Sequence, residues 1–257
     1  MSDTKASTES ISLRHISKLI DFIHSLPGHS IYIDITGMGP DLWAPILRAM
    51  LRQSEKKLHC VYSEPRSYTF SDMPIEGTIF DLSSKIEGIS PLPTFSNFTD
   101  PENPDKVAFI PLLGFEGMRF AFILSKEEPS PPIIPIVGAP GYMLEYPFYT
   151  YWGNKNVLSD IQYWKHIRYV PAFCPFSVYY TLLELRKNYK DYFFKLAPIG
   201  TKPHGLGAIL FAINYHRTTE IIYDHPVVKP TRTSGTSRVH VYNVSDADLI
   251  NISNEQN

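Results

Sequence analysis

At 257 residues, with 43% hydrophobic and 13% aromatic content, the chain is long enough to bury a large core and fits a single α/β domain over residues 1–244. Its formal charge of -2, from 24 basic and 26 acidic residues, excludes the global positive field that drives non-specific nucleic-acid binding and leaves only a local basic patch for such a partner. The polar opening MSDTKASTES lacks the apolar stretch of a secretory signal, and no uninterrupted apolar run of about 18 residues occurs, so a cytoplasmic protein outside the membrane is expected.

Taken in chain order, the segment from Ser12 to Leu26 is amphipathic and predicts a helix packed on a sheet. Ser30 to Ile35 (SIYIDI) predicts a strand that runs through TGMGP into a helix over DLWAPILRAMLRQ, whose Leu42, Ile46, Ala49 and Met50 share one face. A second strand, Leu58 to Tyr62, follows. The stretch from Ile75 to Asp105 is rich in Pro, Ser and Asn and predicts a long loop or a small insert.

Val107 to Leu113 leads through GFEG into MRFAFILSKE, and Ile133 to Val137 leads through GAPG into an aromatic-rich segment. Arg168 to Phe173 ends at CPF ahead of SVYYTLLELRKNY, whose basic last turn complements a helix dipole. Phe194 to Ile199 leads through GTKPHG into LGAILFAI. A short β-branched or aromatic run, a Gly/Pro turn and ten or more residues at helical spacing recur, which predicts a Rossmann-like α/β fold with a mostly parallel sheet flanked by helices. Glu220 to Tyr223 and Arg238 to Asn243 predict a C-terminal β-hairpin, and the polar, Asn-rich run from Ser245 to Asn257 a disordered tail.

Ligands of such folds sit beyond the carboxyl ends of the strands, where glycines let backbone N–H groups approach a phosphate. The first loop offers Asp34, the Thr36 hydroxyl, and Gly37 and Gly39, which can form an anion nest or simply allow a tight turn. Its spacing matches neither GxGxxG nor the Walker pattern, so no dinucleotide cofactor is implied. The loop from Gly200 to Gly205 is more specific: it places Thr201, Lys202 and His204 between a strand and a helix N-terminus. A cation there opposes the helix dipole by roughly 0.3–1 kcal/mol, which an anionic ligand would reverse.

Gly114 and Gly138 belong to two further strand-end loops. Glu116 and Arg119 flank the GFEG turn, either reaching the ligand or forming a surface ion pair at i,i+3 spacing, and Arg232 in PTRTSG adds a second cation. Glu64, in YSEPRSY, is placed to bond a ribose or to sit in water. Tyr142, Tyr146, Tyr149, Tyr151 and Trp152 form an aromatic cluster suited to stacking on bases, to the core or to a subunit interface. Lys202, His204, Glu64 and Glu116 are the candidate catalytic groups should the site be an enzyme's. Cys60 and Cys174 lack a CxxC pair and predict free thiols, and the nine histidines show no HExxH or HxH spacing, so no metal centre is implied.

IDITGMGPDLWAPILRAML and, more loosely, APIGTKPHGLGAILFAI resemble the TGG and GTK-type loops of CARF-like sensor domains, Rossmann-like modules that bind cyclic oligonucleotide messengers in prokaryotic antiviral defence. The resemblance covers two loops and their helices. It implies ligand contacts at Thr36 and Gly37 in the first loop and at Gly200, Thr201 and Lys202 in the second. Met38 stands where the pattern has a second glycine, and Pro203 follows the lysine. The resulting expectation is a module that binds a phosphorylated, nucleotide-like ligand and works with a partner protein or as a homo-oligomer. The alternatives are an enzyme cleaving a phosphodiester or N-glycosidic bond at the same site, and a structural subunit whose glycine loops serve only turns.

Overall fold

A computed structural model describes residues 10–53, 56–72, 74, 79–80, 82–96, 105–127, 132–160 and 163–245. The expected C-terminal tail, Ser245 to Asn257, lies outside the described residues from 246 onward, as does the segment 97–104. In chain order the elements are α1 (Ile16–Ser25), β1 (Ser30–Asp34), α2 (Pro40–Gln53), β2 (Lys57–Tyr68), β3 (Ser83–Ile86), β4 (Ser90–Pro91), β5 (Val107–Leu112), α3 (Gly117–Glu127), β6 (Ile136–Gly138) and α4 (Tyr146–Asp160). They continue with a 3-10 turn at Tyr163–His166, β7 (Arg168–Val170), α5 (Pro175–Asn188), β8 (Phe193–Pro198), α6 (Lys202–Asn214), β9 (Thr219–Tyr223), β10 (Pro226–Val228) and β11 (Thr233–Asn243). The fold is α/β with a mostly parallel sheet between helices, as the sequence predicts.

Alternation along β5 explains the layering. Ala108, Ile110 and Leu112 point into one apolar cluster with Val178 and Leu182 of α5 and Leu206, Ile209 and Leu210 of α6, whereas Phe109 and Leu113 join a second cluster with Phe120 and Ile123 of α3 and Leu158 of α4. Successive side chains of a strand face opposite sides, so a strand with no polar residue must be covered on both. Helices α5 and α6 therefore lie on one side of the sheet and α3 and α4 on the other.

The large sheet has the order β4-β9-β8-β5-β6-β7. From β5 the chain steps outward to β6 and β7, then returns to the other side of β5 for β8 and β9, all five parallel. That is the doubly wound order, with its reversal between β5 and β8. Only β4, contributed by the Pro-rich segment, runs antiparallel at the edge, beside β9.

The structure departs from the sequence reading at three places. The β1-α2-β2 unit does not extend the large sheet but forms its own sheet, β1-β2-β11, which packs through α2 onto α6 and shares the first apolar cluster. The expected C-terminal hairpin is absent: β9 joins β8 in the large sheet, while β11 runs antiparallel to β2. Finally, Leu58 to Tyr62 is the start of a strand that continues to Tyr68, because β11 supplies hydrogen-bond partners along that extension, from Asn243 opposite His59 to Thr233 opposite Tyr68.

Both cysteines are free, Cys60 buried and Cys174 half-buried. Among the described residues no helix is long and apolar enough to cross a membrane.

Candidate functional site

The strand ends at the reversal meet almost in contact. A Cβ built on Gly200 would stand 2.5 Å from the Leu113 carbonyl oxygen, and one on Gly114 would stand 2.6 Å from that of Ile199, so neither loop admits a larger residue without separating β5 from β8. Gly200→Ala is expected to destabilise the protein by about 1–3 kcal/mol through backbone overpacking, read as a lower urea midpoint with an unchanged m-value. These glycines keep the loops low, and a cleft of about 530 Å3 opens above them. Small-molecule sites typically measure ~300–1,000 Å3.

The cleft draws on both sheets. The loop after β1 contributes Thr36, Gly37 and Gly39, the large sheet contributes Gly114, Glu116, Arg119, Gly138, Gly200, Thr201 and Lys202, and β11 with its approach contributes Arg232. Most of the residues singled out in the sequence therefore share one cavity. Asp34, Glu64 and His204 are not among its lining residues.

Each of those three has a local explanation. The Asp34 carboxylate accepts the Thr36 backbone N–H at 2.8 Å and shapes the loop from outside the cleft. Glu64 lies within β2 rather than after it, and its buried carboxylate pairs with the His240 ring on β11 at 3.0 Å. His204 is fully buried in the first turns of α6, with Nε2 bonded to the Pro171 carbonyl at 3.0 Å. Burial lowers its pKa to about 4, so it stays a neutral imidazole of the core. Glu64 and His204 thus leave the set of candidate catalytic groups.

Arg119 is also redefined. It lines the cleft floor, but its Nε and Nη2 bond both oxygens of the fully buried Asp224 at 2.8 and 2.6 Å, and Nη1 reaches the Ile199 carbonyl at 3.2 Å. This two-pronged pair ties α3 to the end of β9, and Glu116, instead of pairing with Arg119 at the surface, accepts the Ser83 hydroxyl at 2.9 Å.

Four helix N-termini border the cleft, those of α2, α3, α4 and α6, and their charges differ; α4 has Glu145 immediately before it. Helix α2 carries Asp41 in its first turn, with Oδ1 folded over Gly39, and Glu116 immediately precedes α3. These three termini thus have their own carboxylate to offset the positive end of the dipole. Helix α6 has no acidic residue in its first turn and begins instead with Lys202. Its cap, Thr201, accepts the His204 backbone N–H and donates its hydroxyl to the Ala172 carbonyl at 2.7 Å, so Thr201 braces the loop.

The Lys202 ammonium donates to the Met38 carbonyl, linking α6 to the loop after β1. Burial, and next the charge of Arg232, lower its pKa to about 8, while Asp34 and Asp41 pull the other way. Lys202 and Arg232 thus share the cleft at a helix, α6, with no carboxylate in its first turn.

Gly37 and Gly39 do not adopt left-handed φ values, so the expected anion nest is not formed. At Gly37 a Cβ would meet nothing within 4 Å. Neither turn geometry nor packing requires glycine there, and the residue faces open space at the cleft. The Thr36 hydroxyl accepts the Ser63 backbone N–H at 2.8 Å, fixing this loop to β2.

Sequence reasoning missed Tyr62, Tyr68 and Phe115, which line the cleft with Tyr142 and Tyr146, as well as Asn154, whose buried amide donates to the Gly114 carbonyl at 2.8 Å and holds the β5 loop against α4. Asp224 was also missed. Only its position at the end of a parallel strand could have drawn attention to it. Comparison with family profiles, curated proteins and solved structures found no match.

Proposed function

We propose that this protein binds a phosphorylated, nucleotide-like ligand in the cleft above the β5–β8 reversal and acts as a sensor or accessory subunit. The observation that carries the reading is the pairing of Lys202 with Arg232 at an α6 N-terminus that has no carboxylate of its own, inside a cavity of ligand size. An anion there satisfies the cations and the helix dipole together. Gly37, which the fold does not require, leaves room for that ligand to approach the loop.

The CARF-like character of the two loops makes prokaryotic antiviral defence the proposed setting. Leu144 in the turn before α4 and Phe148 and Trp152 within it, exposed at 90%, 72% and 48%, fit a subunit that meets a partner.

The enzymatic alternative, hydrolysis of a phosphodiester or N-glycosidic bond, draws on Lys202, a half-buried amine of lowered proton affinity, and on Glu116 in the same cleft. One experiment separates the two. The purified protein is incubated with mononucleotides, dinucleotides and cyclic oligonucleotides while thermal midpoint and product formation are both recorded. A ligand at 100 times its Kd stabilises the fold by about 2.7 kcal/mol. Stabilisation without turnover is the expected result, turnover establishes the enzyme, and no shift with any member of the panel overturns the anion-site reading.

A further inference from the structure

Next to the cations, the cleft has a wall of a different chemistry. Phe115, on the loop after β5, and Tyr146, at the start of α4, both line it and meet edge to face, with ring centroids 5.2 Å apart and planes at 80°. Tyr68 of β2 closes the group, at 5.3 Å from Phe115 and 5.8 Å from Tyr146. Behind them, the buried Phe80 stacks on Phe115 at 4.5 Å. Each ring is held by two or more others, so the wall is a rigid surface whose ordering cost is met in folding rather than in binding.

This wall adjoins the anion end of the cleft. Arg232 lies near enough to Tyr68 for its charge to act on the phenol, and it acts on Lys202 as well. Tyr146 is half-buried where the cleft reaches it, whereas the other large apolar side chains of this stretch, Leu144 and Phe148, turn to solvent. An aromatic wall that shares one cleft with a pair of cations matches a molecule that carries both a planar ring and an anionic group.

Resting on the anion-site reading, we infer that Tyr146 and Phe115 form a stacking subsite for the heterocyclic base of a nucleoside phosphate whose phosphate sits at Lys202 and Arg232. Stacking on an aromatic side chain tolerates every base, so the subsite selects for the presence of a base more than for its identity. The sugar then lies between the two ends, within reach of the Glu116 carboxylate that lines the same cleft.

The test compares ribose 5-phosphate with AMP, GMP, CMP and UMP by calorimetry on the full chain. At least one nucleotide is expected to bind about 5- to 150-fold more tightly than ribose 5-phosphate, the range one stacked base supplies. Tyr146→Leu, which keeps apolar volume but removes the ring, removes that advantage and leaves ribose 5-phosphate affinity unchanged, whereas Tyr146→Phe retains it. Thermal midpoints of both variants are measured alongside. Equal affinity of the wild-type protein for ribose 5-phosphate and all four nucleotides overturns the stacking subsite while the anion site stands, and this comparison needs no variant to fold. An equal loss for both ligand classes in Tyr146→Leu overturns it in favour of a structural role. If neither ribose 5-phosphate nor any nucleotide binds, the stacking subsite and the anion site both fall.

Discussion

Replacing Asp224 with Asn is expected to destabilise the protein by about 3–5 kcal/mol, the usual cost of leaving one partner of a buried ion pair uncompensated. Asp224 is wholly buried, and its two oxygens take two of the three hydrogen bonds that satisfy the Arg119 guanidinium; the third goes to the Ile199 carbonyl. The asparagine keeps the shape and removes the charge, so Arg119 remains in a site where burial opposes its ionised form, with the charge of Glu116 left to favour it. For a chain of this size the loss corresponds to a fall in Tm of about 10 °C. The double variant Arg119→Met, Asp224→Leu is expected to recover most of the stability, because breaking such a pair costs more than replacing it with apolar side chains. A midpoint for Asp224→Asn within 2 °C of wild type would show that the pair contributes little.

The second large effect concerns binding. Lys202→Met is expected to weaken anionic-ligand binding by about 10- to 150-fold, the range for a charged hydrogen bond, while leaving the thermal midpoint of the free protein unchanged or higher. The two readouts move apart because partial burial of the ammonium, with the charge of Arg232 acting on it, is costly to the free fold. Its pKa of about 8 also sets the pH response. Affinity falls as pH rises through about 8, since only the protonated amine attracts an anion.

Stability moves the other way. Lys202 is depressed in the folded state from 10.5, so between about pH 8 and 10.5 the unfolded chain binds more protons at this position than the folded one, and its contribution to stability rises with pH across that window. Titrating affinity and melting midpoint over pH 7 to 10 checks both signs, and both responses vanish in Lys202→Met. Parallel movement of the two quantities would remove Lys202 from the ligand's reach.

The parallel sheet was legible because its central strands β5 and β6 are apolar on both faces and end at glycine before a helical period begins, as VAFIPLL and IIPIV show. Loops at parallel strand ends necessarily gather on one side of a sheet, which is why Gly114, Glu116, Gly138, Gly200 and Lys202 come together although they are far apart in the chain. Pairing between distant strands was not legible. Nothing local in Arg238 to Asn243 distinguishes a hairpin with β9 from an antiparallel ladder on β2, and that choice decides where Glu64 goes: His240 arrives with β11 and takes its carboxylate. His204 misled for a related reason. A histidine in a strand-end loop is a good proton carrier only if the loop stays open, and here Thr201 begins α6 so early that the ring turns into the core.

The ladder between β2 and β11 joins residues from opposite ends of the chain, with Cys60 opposite Tyr242. The parallel strands β5 to β9 are contiguous by comparison, and their contacts close shorter loops. During synthesis, the doubly wound half has all its strands available once β9 has emerged, while Tyr62, Tyr68 and the rest of β2 still lack a neighbour on one edge. Only the arrival of β11 places Arg232 and the Thr233–Thr236 backbone over the cleft. The proposed ligand site is therefore completed late in synthesis, and a chain halted before Thr233 would carry the loops of the cleft without the residues of β11 that line it.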